Sequence, residues 1–264
     1  MVRRLIAIFT ATLLLQAAAA AQDNPAATYV PKPSPVAAVD TTKVLCIGNS
    51  FTYFHDCPHK LVEIAAFEGH FIDMAWAFRG GYTLGQHVTY QPTVEAIRKG
   101  GYEYAFLQDQ SQAAARYVGF HDDYPYVRTD FETLSACVRT VSRDCECIYE
   151  RTWSYPAFEN GGFPTEKEFD KALAKGAKKV ARPSGSRVSP IGDAFTLSRE
   201  LYPEINLLYT DSHHQSPAGT YLKCCVNYLM IFKQPFGPSP SDCDLDPDTA
   251  AKLRSVAEKI VLKK

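Results

Sequence analysis

The chain has 264 residues, 46% hydrophobic and 22% charged, a balance that belongs to folded globular proteins and excludes disordered and collagen-like ones. Its 28 Lys and Arg nearly cancel its 29 Asp and Glu, for a formal charge of −1, so no strong field marks nucleic acid or an anionic membrane surface as a partner. Eight cysteines are too sparse for a small disulfide scaffold, and their state depends on the compartment.

The chain opens with Arg3 and Arg4, an apolar run over 5–15 and a small-residue run ending at Ala21. This is the pattern of a secretory signal peptide over 1–21, cleaved before Gln22, and the apolar run is too short to span a bilayer. Export to the periplasm or the extracellular space is therefore expected, with no stable membrane insertion after cleavage. Cleavage removes two arginines and no acid, leaving a formal charge of −3. Residues 22–42 carry Pro25, Pro31, Pro33, Ser34 and Pro35, the composition of an extended linker. A single domain is expected over 43–264.

Within that domain, short apolar runs at 44–47, 72–78, 104–107, 147–149 and 187–190 read as strands. Helix signals lie between and after them, at 58–68, 92–99, 126–142, 166–181, 194–201, 218–232 and 247–261, with Pro or acidic residues near several starts. Alternation of strand and helix predicts an α/β fold, a mostly parallel sheet covered on both faces in three layers. Ligands of such sheets sit at the carboxyl ends of the strands, which directs attention to the loops that follow them.

The first strand runs into Gly48-Asn49-Ser50-Phe51-Thr52, placing a serine hydroxyl on a strand-to-helix turn, where it can cap the helix or act as a nucleophile. Near the C-terminus stands Asp211-Ser212-His213-His214-Gln215, a carboxylate three residues before a histidine. An imidazole that takes a serine proton needs a carboxylate to fix its tautomer, so these two segments could form one machine.

With those residues the chain resembles the SGNH hydrolases, also called GDSL-like esterases and lipases, in four separated blocks in family order. Gly48-Asn49-Ser50 looks like the first block, with Asn49 where an acid is commoner, and Asp211-x-x-His214 with Gly219 looks like the last. The resemblance implies a flavodoxin-like three-layer fold, Ser50 as nucleophile, His214 as base and Asp211 as orienting acid, with His213 a neighbour. It also implies an oxyanion hole built from Ser50, a glycine of Arg79-Gly80-Gly81-Tyr82, preferably Gly81, and Gln110 of Gln108-Asp109-Gln110-Ser111, where the family pattern has asparagine. Gln carries the same amide on one more methylene. No metal or organic cofactor is implied, and the substrate would be a small-molecule or glycan ester.

Several other residues invite a reading. His55, His59 and Glu63 recur every four residues, but Pro58 places His55 ahead of the helix and breaks a metal-ligand face. The eight cysteines contain no CxxC pair, and Cys46 reads as a small apolar core residue. Trp153 and Tyr82 fall after strands where an aromatic face could stack on a sugar ring. The function expected is an exported serine esterase acting through an acyl-enzyme on acyl esters, acetyl foremost, of a carbohydrate or glycan. The alternatives are a catalytically weak carbohydrate-binding protein on the same fold, and a lipase or lysophospholipase-like esterase. Activity should rise as His214 loses its proton near neutral pH.

Overall fold

A computed structural model of the chain describes residues 40–120, 123–156 and 162–263. The expected signal peptide, and all of the expected linker but its last three residues, lie outside the described residues. Strand β1 starts at Thr41, so the folded domain begins slightly before the expected boundary at 43.

The elements follow in the order β1 (Thr41–Gly48), α1 (Ser50–Tyr53), a 3-10 turn (Phe54–Asp56), α2 (Cys57–Phe67), β2 (Phe71–Phe78), α3 (Leu84–His87), α4 (Gln91–Lys99), β3 (Tyr104–Leu107), α5 (Ala113–Gly119), α6 (Val127–Val141) and β4 (Glu146–Glu150). They continue with α7 (Glu166–Ala181), a second 3-10 turn (Arg182–Ser184), β5 (Arg187–Ser189), α8 (Ile191–Leu201), α9 (Pro217–Phe232) and α10 (Pro247–Val261). All five strands and seven longer helices stand where their apolar patterns place them. The short helices α1, α3 and α5 were not expected. A helix of one or two turns shows no period, and α3 is set instead by a capping box between Thr83 and Gln86.

The sheet is wholly parallel in the order β2-β1-β3-β4-β5. β1 is central, and Val44, Leu45, Cys46 and Ile47 are all buried, as expected of a strand covered on both faces. Helices α2, α8, α9 and α10 pack together on one side of the sheet, and α4 to α7 on the other. The chain leaves β1 toward β2 on one side and returns to β3 on the other, so a crevice opens at the carboxyl ends of β1 and β3. α9 is buried nearly all round, wedged between α2, α8, α10 and the sheet. No helix among the described residues is long and apolar enough to cross a membrane.

Candidate active site

Ser50 is the first residue of α1, directly after β1 and an Asn49 that caps the helix by accepting from the Phe51 amide at 3.1 Å. Asn49 also donates through Nδ2 to the Tyr82 carbonyl at 2.9 Å and the Asp109 carbonyl at 3.4 Å. This gives a physical reason for an amide at this position: a carboxylate has no N–H for two carbonyls. Gln108 Oε1 accepts from the Asn49 amide at 3.0 Å and from Thr52 Oγ1 at 2.8 Å. A methyl group on Gly48 would lie 2.5 Å from Thr52 Oγ1 and 2.7 Å from Gln108 Oε1, so the turn closes only around glycine.

The last motif folds into a loop between α8 and α9. A bridge between Leu208 and Gln215 closes its base, and Tyr209 donates to the His214 carbonyl at 2.8 Å. Asp211 Oδ1 accepts from the amides of His213 and His214 at 3.1 and 3.0 Å, which aims its other oxygen at the His214 ring. His214 Nδ1 lies 2.6 Å from Asp211 Oδ2, and His214 Nε2 lies 2.7 Å from Ser50 Oγ, 164 residues away. A carboxylate can only accept, so Nδ1 carries the proton and Nε2 accepts from the serine hydroxyl. Burial lowers the His214 pKa from its ordinary 6.5, helped by the His213 charge and opposed by the hydrogen bond to Asp211. Burial opposes the Asp211 charge, but the bonds from His214 and from the two amides outweigh it and hold its pKa below 3.8.

Ser50 and His214 open onto a cleft of about 260 Å³ that Gly81, Gln110, His213 and Tyr155 also line. Gly81 has φ +72°, open to glycine with little penalty. Gln110 uses Oε1 to accept from the Gln112 amide at 2.8 Å and one amide proton on Ser111 Oγ at 3.3 Å, leaving a second proton on the same nitrogen. Beneath the loop, Asp109 accepts from the amides of Leu84 and Gln110, yet burial pushes its pKa up to about 7.

Two expectations are corrected. Trp153 is 1% exposed, stacked between Phe51 at 4.7 Å and Phe195 at 4.4 Å, and it donates from Nε1 to the His213 carbonyl at 3.0 Å. With both ring faces covered it cannot stack on a sugar; it supports the serine and histidine loops. Tyr82 packs edge-on against His87 and Tyr90 and does not line the cleft. The cleft aromatic is Tyr155, whose hydroxyl is 3.0 Å from Ser111 Oγ. Its place after β4 marks it in the sequence no more strongly than Trp153.

His55, His59 and Glu63 do not converge. His55 and Asp56 are left-handed, with φ +51° and +60°, His59 pairs with Asp56, and Glu63 accepts from Ser241. Asp211, His213 and His214 offer ligand atoms within 4.8 Å of one another, but His214 and Asp211 have turned theirs to each other and to Ser50. All eight cysteines are buried free thiols, with the sulfurs of Cys57 and Cys224 3.4 Å apart.

No family model matches the chain, and no curated protein matches it. Solved structures do. A DUF4886 family protein from Bacteroides uniformis superposes with TM-score 0.70 at 19% identity, over 84% of this chain and 95% of that one. The lipase Lip_vut3 from a goat rumen metagenome gives 0.52 at 10%, over 72% and 96%. A variant of an acetyl xylan esterase from Geobacillus stearothermophilus gives 0.51 at 17%, over 72% and 93%. The architecture that sets Ser50 at the end of β1 and brings the α8–α9 loop against it is the three-layer α/β/α fold that these lipase and esterase structures share.

Proposed function

We propose that this protein is an exported serine esterase that removes acyl groups, acetyl foremost, from a carbohydrate or glycan. The observation that carries the reading is the continuous hydrogen-bonded chain from Ser50 Oγ through His214 to Asp211, at 2.7 and 2.6 Å. In this reading Ser50 Oγ attacks the ester carbonyl while His214 Nε2 takes its proton, and Asp211 stabilises the imidazolium. The oxyanion is met by donors from Ser50, Gly81 and Gln110. Collapse of the adduct releases the alcohol, which takes the proton from His214. Water then enters by the same route, the carboxylic acid departs and Ser50 is restored.

A cleft of about 260 Å³ lies below the usual range of drug-sized pockets, which supports a short acyl group. The carbohydrate part draws support from the acetyl xylan esterase that shares the fold, and export from the leader. The test is hydrolysis of p-nitrophenyl acetate by the purified protein beside Ser50→Ala. The parent should turn over and the variant should fall to background; equal rates would overturn the reading.

A further inference from the structure

A buried ion pair lies beneath the Ser50 turn and takes no part in the chemistry above. Lys223, on α9, and Glu150, the last residue of β4, are 1% and 2% exposed, with Nζ 2.7 Å from Oε2. The other carboxylate oxygen accepts from Asn227 Nδ2 at 2.6 Å, and Asn227 Oδ1 accepts from Ser189 Oγ, at the end of β5, at 2.8 Å. The ammonium also donates to the main-chain carbonyl of Phe51 at 2.8 Å. Gln215 Nε2 reaches that same carbonyl at 3.3 Å.

Burying two charges carries a desolvation penalty on each, and well-packed apolar residues are often as stabilising. Stability is thus a weak reason for the pair. An apolar pair could not aim a cation at a chosen carbonyl. Phe51 follows Ser50 in α1, whose chain leaves helical geometry at Phe54, and a cation at a helix's carbonyl end is favourable. Gln215 follows His214, and α9 begins at its Ser216 cap. The Phe51 carbonyl is therefore held at once by the helix and by the histidine loop.

We propose that Lys223, held by a Glu150 that Asn227 anchors in turn, is a positioning residue that clamps the Phe51 carbonyl and so keeps Ser50 Oγ within reach of His214 Nε2. The clamp rests on the reading of Ser50 as nucleophile. Burial works against the Lys223 charge, but the Glu150 carboxylate outweighs it and lifts the pKa above 10.5, so the ammonium stays protonated through the neutral range.

The test is the double variant Lys223→Met with Glu150→Gln, which leaves no unpaired charge buried. A misplacement of the order of 1 Å should lower kcat on p-nitrophenyl acetate by about 10²-fold with KM changed less than about twofold. Amide hydrogen exchange should quicken over residues 49–56 and 211–216 and stay unchanged elsewhere. Ser189→Ala, which cuts the far end of the chain of bonds without touching a charge, should move both readouts the same way by less. Parental kcat in the double variant, or exchange that quickens everywhere or nowhere, overturns the clamp. If the parent shows no Ser50-dependent hydrolysis, the esterase reading falls instead, and the exchange pattern still decides the clamp.

Discussion

His213 and His214 are adjacent in the chain and differ in what bears on proton transfer. His214 points Nδ1 at a carboxylate and Nε2 at a hydroxyl, whereas His213 turns Nδ1 to the Asp211 carbonyl at 3.1 Å and lines the cleft. Replacing His214 by Ala should lower kcat/KM by about 10²- to 10⁴-fold, the usual scale of a general base, while His213→Ala retains most of the rate. A reversed pattern in esterase assays would move the base to His213. The pH profile follows from the same geometry. A protonated imidazole cannot accept from Ser50, so kcat/KM should rise with pH and level off. Because burial lowers the His214 pKa, the midpoint should fall below 6.5, on the acid side of the neutral range first expected; a midpoint above it would count against the assignment. Trp153 belongs to this scale too. Its position after β4 is equally consistent with sugar stacking and with packing, and only the rings of Phe51 and Phe195 on its two faces decide the matter.

Helix α9 joins the two halves of the site. It begins three residues after His214, and its Lys223 donates to the carbonyl of Phe51, next to Ser50. Its approach to the α8–α9 loop depends on Gly219, where a methyl group would lie 2.2 Å from the Leu207 carbonyl oxygen and 3.1 Å from Phe195. The backbone oxygen cannot turn aside as a flexible side chain could. Gly219→Ala should therefore cost about 1–3 kcal/mol of stability, as overpacked sites do. It should also lower kcat, because the helix start carries the histidine loop with it. Thermal melts and p-nitrophenyl acetate kinetics check both, and a variant with parental values in each would show that the helix can shift freely. The last motif and Gly219 are legible in the sequence as a pattern, but the reason for the glycine is not: its neighbour comes from a loop twelve residues earlier.

At the scale of the molecule, acid should loosen the fold through His87. This side chain is fully buried, with Nε2 3.1 Å from the Gly48 carbonyl and Nδ1 2.7 Å from Thr93 Oγ1. The carbonyl can only accept, so Nε2–H donates to it, Nδ1 accepts from the threonine, and a second proton would break the arrangement. Burial pulls the pKa from 6.5 down to about 4, the Gly48 bond opposing it. Between those values the unfolded chain binds the extra proton, so stability is full above about pH 6.5 and is lost as pH falls toward 4, by about 2–3 kcal/mol. Urea unfolding at pH 4.5 and 7 should show a larger difference for the parent than for His87→Asn; equal differences would remove His87 from the account.

The cleft is likewise a property of the whole. Its walls come from loops after β1, β2, β3 and β4 and from the α8–α9 loop, and its small volume should favour p-nitrophenyl acetate over the octanoate by kcat/KM. Octanoate preference would move the reading toward a lipase. A formal charge near zero fits a neutral ester, as it first excluded polyanions.

Local pattern was enough for the five strands and the seven longer helices, because burial on a parallel sheet writes itself as apolar runs, while Gly48, Asn49, Ser50, Asp211 and His214 stand out in the sequence only as two short motifs. Short helices escaped because one turn has no period. The 2.7 Å contact across 164 residues, the covered faces of Trp153 and the Lys223–Glu150 pair beneath Ser50 belong to the tertiary structure alone. They are made between segments remote in the chain, and which side chains meet there is decided by how α9 packs against the sheet, a relation no window of sequence contains.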